Sequence, residues 1–196
     1  MKRKIIPVVL AGCCCLTAFS WFHKEPKEPA LSETYSIGDS VELGGVNFNI
    51  YKVDDDEKEI YLLAHDCIAS TPYSDESHSG DYLHSYSGSL VQESVDNFVS
   101  GLEDAGVDID SSGLIDKDDL YNLGFEHSDG LSGLPYHYAG DYDFITQDSN
   151  FWVDGYCKYE TMSWAYSGGY LDAHSCDETL GVRPVIVVSP EILEGK

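Results

Sequence analysis

The 196-residue chain carries 35 Asp and Glu against 11 Lys and Arg, a formal net charge of −24 at pH 7. A surface this acidic repels nucleic acid and anionic lipid, so polyanion-binding classes are excluded. Its 42% hydrophobic and 12% aromatic content is enough to bury one core in one domain.

The chain opens on Lys2, Arg3 and Lys4, followed by Ile5 to Phe22, a stretch without a charge. This is the form of an export signal. Three fates stay open. Leu10-Ala11-Gly12-Cys13 matches the lipobox of bacterial lipoproteins, in which Cys13 is lipidated. Ala18-Phe19-Ser20 carries small residues where an ordinary signal peptidase cuts. Uncut, the stretch is a short membrane anchor. All three place residues 23–196 outside the cytoplasmic membrane, in agreement with the positive-inside rule, and anchoring is expected ahead of secretion. Beyond residue 22, eight basic residues face all 35 acids, a balance of −27. His23 to Ser36, polar and proline-bearing, reads as a flexible spacer, and the domain begins near Ile37.

Ser40 to Gly44 and Val46 to Val53 predict two strands around Gly44-Gly45, a hairpin signal. Ile60 to Ala64 predicts a central strand. Ser70 to Ser89 reads as loop. Val91, Val95, Phe98, Val99 and Leu102 form one apolar stripe in a helix over Ser89 to Ala105. Ser89 with Gln92 gives a capping box, and Gly106 ends the helix. Lys117 to Leu123 predicts a short helix capped by Asp116. Asn122 to Asn150 has little period and reads as a long irregular segment. Phe151 to Tyr156 predicts a strand. Met162, Trp164 and Tyr166 share one face of the next, Ser167-Gly168-Gly169 turns the chain, and Tyr170 to Ser175 returns.

The final stretch, Gly181 to Val188 (GVRPVIVV), reads as one strand buried on both faces. Arg183 is the sole arginine after Arg3. At the mouth of a buried strand it is expected to play a structural part, meeting a carboxylate through its planar fork. Asp141, Asp143 and Asp172 are the candidate partners.

FWVDGY, a hairpin through SGG and the terminal GVRPVIVV together resemble a family of exported Gram-positive bacterial domains of unknown function. IYLLAHDCI and LIDKDDLYNLGF resemble that family's earlier segments. The family is similar to the C-type-lectin-like fold shared with formylglycine-generating enzymes. Over residues 37–196 the resemblance implies an α+β domain, with two helices packed on small antiparallel sheets and the N- and C-terminal strands adjacent. It implies no activity. The calcium-and-sugar motif of true lectins is absent; Trp152-Val153-Asp154 is a faint echo of part of it.

Asp108, Asp110, Ser112, Gly113, Ile115, Asp116 and Asp119 fall at positions 1, 3, 5, 6, 8, 9 and 12 of an EF-hand loop. The competing reading is a capped helix start with Leu114 and Ile115 buried. Cys157 and Cys176 flank the hairpin and are either bridged or separately buried. The histidines lack zinc spacing. Tyr136, Tyr138, Tyr142, Trp152 and Tyr156 lie in the loop-rich half among Asp and Gly. Flat amphipathic rings with polar neighbours suit a glycan or peptide surface; the alternative is that they fill the core.

These readings lead to a membrane-tethered extracytoplasmic binding or interaction domain, with no catalytic residue assigned. A hydrolase or modifying enzyme using acids in 125–160 is the second expectation, and a structural envelope protein with a calcium loop at 108–119 the third. The expected partner is an extracellular or cell-envelope ligand. The membrane is met through the N-terminus only.

Overall fold

The computed structural model describes residues 29–74, 85–127, 136–146, 150–155 and 161–194. The leader with Cys13, and Tyr156 and Cys157, lie outside them. Elements run α1 (Leu31–Thr34), β1 (Ser40–Leu43), β2 (Val46–Asp54), β3 (Glu59–Ala64), β4 (Ala69–Thr71), α2 (Leu90–Asp104), β5 (Ser111–Leu114) and α3 (Lys117–Asn122). They continue with β6 (Phe125–His127), β7 (Tyr136–Tyr138), α4 (Asp143–Thr146), β8 (Phe151–Val153), β9 (Met162–Ser167), β10 (Tyr170–Ser175), β11 (Leu180–Val182), β12 (Pro184–Val188) and α5 (Pro190–Glu194). The fold is α+β, dominated by sheet. Among the described residues, no helix is long and apolar enough to cross a membrane.

Two sheets organise these elements among the described residues. The first has the order β1-β2-β3-β12-β5 and the second β4-β11-β8-β9-β10-β7-β6. The first begins with a two-residue hairpin in which Leu43 faces Val46. Gly44 and Gly45 take φ of 57° and 82°, the left-handed pair that a type I′ turn needs. Adjacent residues of β12 point to opposite sides. Ile186 and Val188 join Phe48, Ile50, Ile60, Leu62 and Leu102 in one core cluster. Val185 joins Leu63, Phe151, Tyr166 and Leu171 in another, shared with the second sheet. The first sheet therefore feeds both clusters and, through Leu114 of β5, a third that holds Trp152 and Val182 of the second sheet; every residue of β12 is buried.

α2 links those layers. Ser89 Oγ accepts from Gln92 N at 3.0 Å, and Gln92 Oε1 reaches past the cap to accept from Gly88 N at 2.7 Å. At the other end Gly106 N donates to Glu103 O and Val107 N to Leu102 O, a Schellman closure with Gly106 at φ 86°. Val91, Val95 and Leu102 are buried, each contributing about 1.5–3 kcal/mol. Phe98, expected to be buried, is only half-buried. It lies on the flank of the stripe, its ring 6.2 Å from that of Phe48.

The structure corrects several expectations. Gly181 to Val188 is not one strand, because it breaks at Arg183. β11 belongs to the second sheet and β12 to the first. Proline at 184 has no N–H to continue a ladder, and the chain passes from one sheet to the other there. The terminal strands are not neighbours: β12 pairs with β3 and β5, while β1 lies at the sheet edge. Helices α1 and α5 meet instead, since Leu31, Ile192 and Leu193 pack on one cluster. The segment Asn122 to Asn150 is not wholly irregular, for it supplies β6, β7 and α4.

Candidate functional site

Asp116 Oδ1 accepts from Asp118 N at 2.6 Å and starts α3. A short parallel bridge fixes this start against the end of β8. Asp154 N donates to Ile115 O, and Lys117 N donates to Asp154 O, both at 2.9 Å. Gly155, at φ 142°, continues the chain there, and a β-carbon on it would lie 3.0 Å from Lys117 Cβ. Lys117 is thereby projected over the second sheet. Its Nζ lies 4.9 Å from the centre of the Trp164 ring and 5.6 Å from that of Tyr121. Tyr136 completes the group, 4.6 Å from Tyr121 and 6.0 Å from Trp164 between ring centres.

All four side chains are half-buried. They make a face of three rings, two of them against an ammonium, each cation–ring contact contributing about 0.5–2 kcal/mol. Exposed Asp118 and half-buried Asp116 and Asp154 flank it. Burial raises the Asp154 carboxyl above the usual carboxylate range, and the Asp116 charge adds to this, while Gly155 N–H donation at 2.8 Å opposes it. Burial also raises the Tyr121 phenol. The arrangement offers flat apolar area, one cation and several acceptors.

The residues predicted for a ligand surface separate. Tyr136 joins this face. Tyr138 and Tyr142 turn to each other, Tyr142 N donating to Tyr138 Oη at 2.7 Å, and pack on Phe125 and Phe144. Trp152 is not surface at all. It is wholly buried, its Nε1 donates to Thr71 O at 2.9 Å, and Tyr73 meets its ring edge-on at 5.3 Å. An indole whose single donor finds a carbonyl can be buried without penalty. Lys117, Tyr121, Trp164 and Asp154 were not anticipated as site residues. The alternation of Met162, Trp164 and Tyr166 gave the face of Trp164 but not its partners.

Of the residues proposed for calcium, Asp116 and Asp119 have other partners. Ser111–Leu114 is drawn out as β5, paired with β12, with Asp108, Asp110 and Ser112 exposed. Asp116 caps α3, and Asp119 Oδ1 lies 3.5 Å from Lys52 Nζ. Among the described residues, no three His, Cys, Asp or Glu converge on one point. Cys176 is buried with Trp152, Tyr73 and Val182.

Arg183 is buried, 1% exposed, as a structural role requires, but among the described residues its hydrogen bonds go to carbonyls and not to a carboxylate. Nε donates to Ala64 O at 2.6 Å and Nη2 to Phe144 O at 2.7 Å, with the guanidinium 5.3 Å from the Phe151 ring centre. Asp141, Asp143 and Asp172 are exposed. Carbonyls fixed by β3 and α4 are already desolvated, so they receive the fork at less cost than a carboxylate drawn in from water. Burial lowers the guanidinium to about 10.

A cavity of about 280 Å³ lies apart from these groups, between Leu31, Tyr35, Lys58, Pro190 and Glu194. A scan against protein-family models and a search among curated proteins return no match for the chain.

Proposed function

We propose that residues 37–196 form an extracytoplasmic binding domain, tethered to the membrane through the N-terminal apolar stretch, that engages a glycan or other cell-envelope component. The observation that carries this reading is the face of Tyr121, Tyr136 and Trp164 around Lys117. Sugar rings stack on aromatic faces through C–H groups while their hydroxyls need charged acceptors and donors at the rim; Asp118, Asp116 and Lys117 supply both. The terminal GVRPVIVV sequence and the α+β architecture support a C-type-lectin-like assignment, and the lipobox at Cys13 supports lipid anchoring. The test is a screen of glycans and cell-wall fragments against the exported chain, repeated with Trp164→Ala and Tyr136→Ala. Binding by wild type that both variants lose at unchanged melting temperature is the expected result. Binding that both variants retain would sink it.

Asp154 favours a second reading, a hydrolase or modifying enzyme. A carboxyl raised by burial beside a second carboxylate is how a general acid is prepared. Turnover of a bound fragment, lost in Asp154→Asn with binding kept, would select this reading over simple binding.

A further inference from the structure

The face of Tyr121, Tyr136 and Trp164 carries a charge pattern that selects among ligands. Lys117 and Tyr121 are four apart on α3, and Asp118 and Tyr121 three apart, so the three side chains share one side of the helix. Asp116 caps the same turn, its Oδ1 accepting from Asp118 N at 2.6 Å. Two carboxylates therefore share the turn with the Lys117 ammonium. Burial and neighbouring Tyr136 raise the Tyr121 phenol, and Asp118 and Asp116 raise it further, as a negative field at that ring must. The ring faces add negative potential of their own through the aromatic quadrupole.

The other cations among the described residues are placed elsewhere. Lys52 Nζ lies 3.5 Å from Asp119 Oδ1 and over the Tyr61 ring. Arg183 is buried on its two carbonyls, and Lys58 lines the separate cavity. An anionic sugar would approach this face against the field, whereas a cationic one is drawn along it. Lys117 itself shows what the face holds. Its ammonium rests 4.9 Å from the Trp164 ring centre and 5.6 Å from that of Tyr121, the way aromatic sites take ammonium ligands.

We propose that the unit bound at Tyr121, Tyr136 and Trp164 is an amino sugar whose nitrogen is a free ammonium, in preference to an N-acetylated sugar or a uronic acid. This rests on the glycan-binding reading of the same face. The sugar ring stacks on the aromatic side chains, and its ammonium meets the Asp118 and Asp116 carboxylates. Lys117 is then a competing cation, which holds part of the face and repels the ligand's charge.

The test is calorimetry of the exported chain with three probes: the glucosamine tetramer, the N-acetylglucosamine tetramer and the galacturonic acid tetramer. Mildly acidic buffer keeps the glucosamine amine protonated. The glucosamine tetramer should bind at least about tenfold tighter than its acetylated form and lose that margin in high salt. The galacturonic acid tetramer should bind weakest. Lys117→Met, which keeps an apolar stem, should widen the preference for the ammonium about threefold or more, and Asp118→Asn should narrow it by as much. Melting curves check that each variant is folded; if Lys117→Met is not, Asp118→Asn, an exposed position, decides. A preference that neither variant moves overturns the proposal. So does equal or tighter binding of the acetylated or anionic tetramer, and if Trp164→Ala abolishes that binding, the face remains a glycan site of another specificity. Binding of none of the three overturns the amino-sugar assignment, while the wider glycan screen separately decides the reading beneath it.

Discussion

Arg183 Nη2 donates to the carbonyl oxygen of Phe144 at 2.7 Å, joining the strand crossover to α4 across 39 residues of sequence. Together with the bond from Nε to Ala64 O it gives one side chain hold of both sheets and of α4. Removing the fork leaves two buried carbonyls without donors, at about 1–3 kcal/mol each, and a cavity besides. Arg183→Ala is therefore expected to lower stability by about 3–6 kcal/mol in urea unfolding. Arg183→Lys should recover less than half, because an ammonium cannot span both carbonyls. An Arg183→Ala protein with unchanged midpoint would show that these bonds contribute nothing net.

Asp116 is read as a helix cap. Asp116→Ala should cost about 0.5–2 kcal/mol, and Asp116→Asn or Asp116→Ser much less. With β5 extended through the middle of the 108–119 segment, calcium and chelator should give the same melting temperature. A rise with millimolar calcium that Asp108→Ala abolishes would restore the metal reading.

Along α2, the split between buried Val95 and half-buried Phe98 predicts a narrowing of the usual difference in cost between the two side chains. Val95 is fully buried and sits in the cluster around Trp152. Val95→Ala should cost about 2 kcal/mol, while Phe98→Ala should fall short of the ~3–5 kcal/mol of a fully buried phenylalanine. Melting curves of the two variants check it. A Phe98→Ala loss at or above that range would mean its ring is in the core.

Alkaline unfolding should be led by tyrosines. Burial raises the Tyr51, Tyr73, Tyr86 and Tyr121 phenols, and the hydrogen bond to Glu59 pushes Tyr61 up to about 12. Folded, these groups keep their protons through the range near pH ~10 where unfolded tyrosines ionise. Their contribution is thus fully present below about pH 10 and is lost as pH rises through the folded values. Arg183, lowered to about 10, acts in the opposite sense but is one group against five. Tyrosinate absorbance should appear together with loss of near-ultraviolet circular dichroism. Phenols that titrate in a chain keeping its tertiary signal would contradict this.

Local chemistry made much of the architecture legible. Gly44-Gly45 and Gly168-Gly169 specify left-handed turn pairs, Ser89 and Asp116 cap helices, and the run after Pro184 is buried throughout. What stayed hidden is set by contacts between distant segments. That Val182 and Pro184 join different sheets depends on where β8 and β3 lie, which no property of GVRP encodes. Trp152 read as surface because it stands in the loop-rich half among Asp and Gly, yet its place is decided by Thr71, 81 residues away. The ring face was half legible for the same reason. Tyr136 stood out in a tyrosine-rich stretch, whereas Tyr121 and Trp164 meet it only once α3 is anchored to Asp154.

The placement of β12 also dictates when the first sheet can close. Synthesis delivers β1, β2 and β3 as a meander, but β3 and β5 stay apart until Pro184 to Val188 arrives, 120 residues after Ala64. Until then Ile60 to Ala64 is an open apolar edge, the kind of surface that recruits other chains. Closure of the first sheet is accordingly a late event that waits for the carboxyl end.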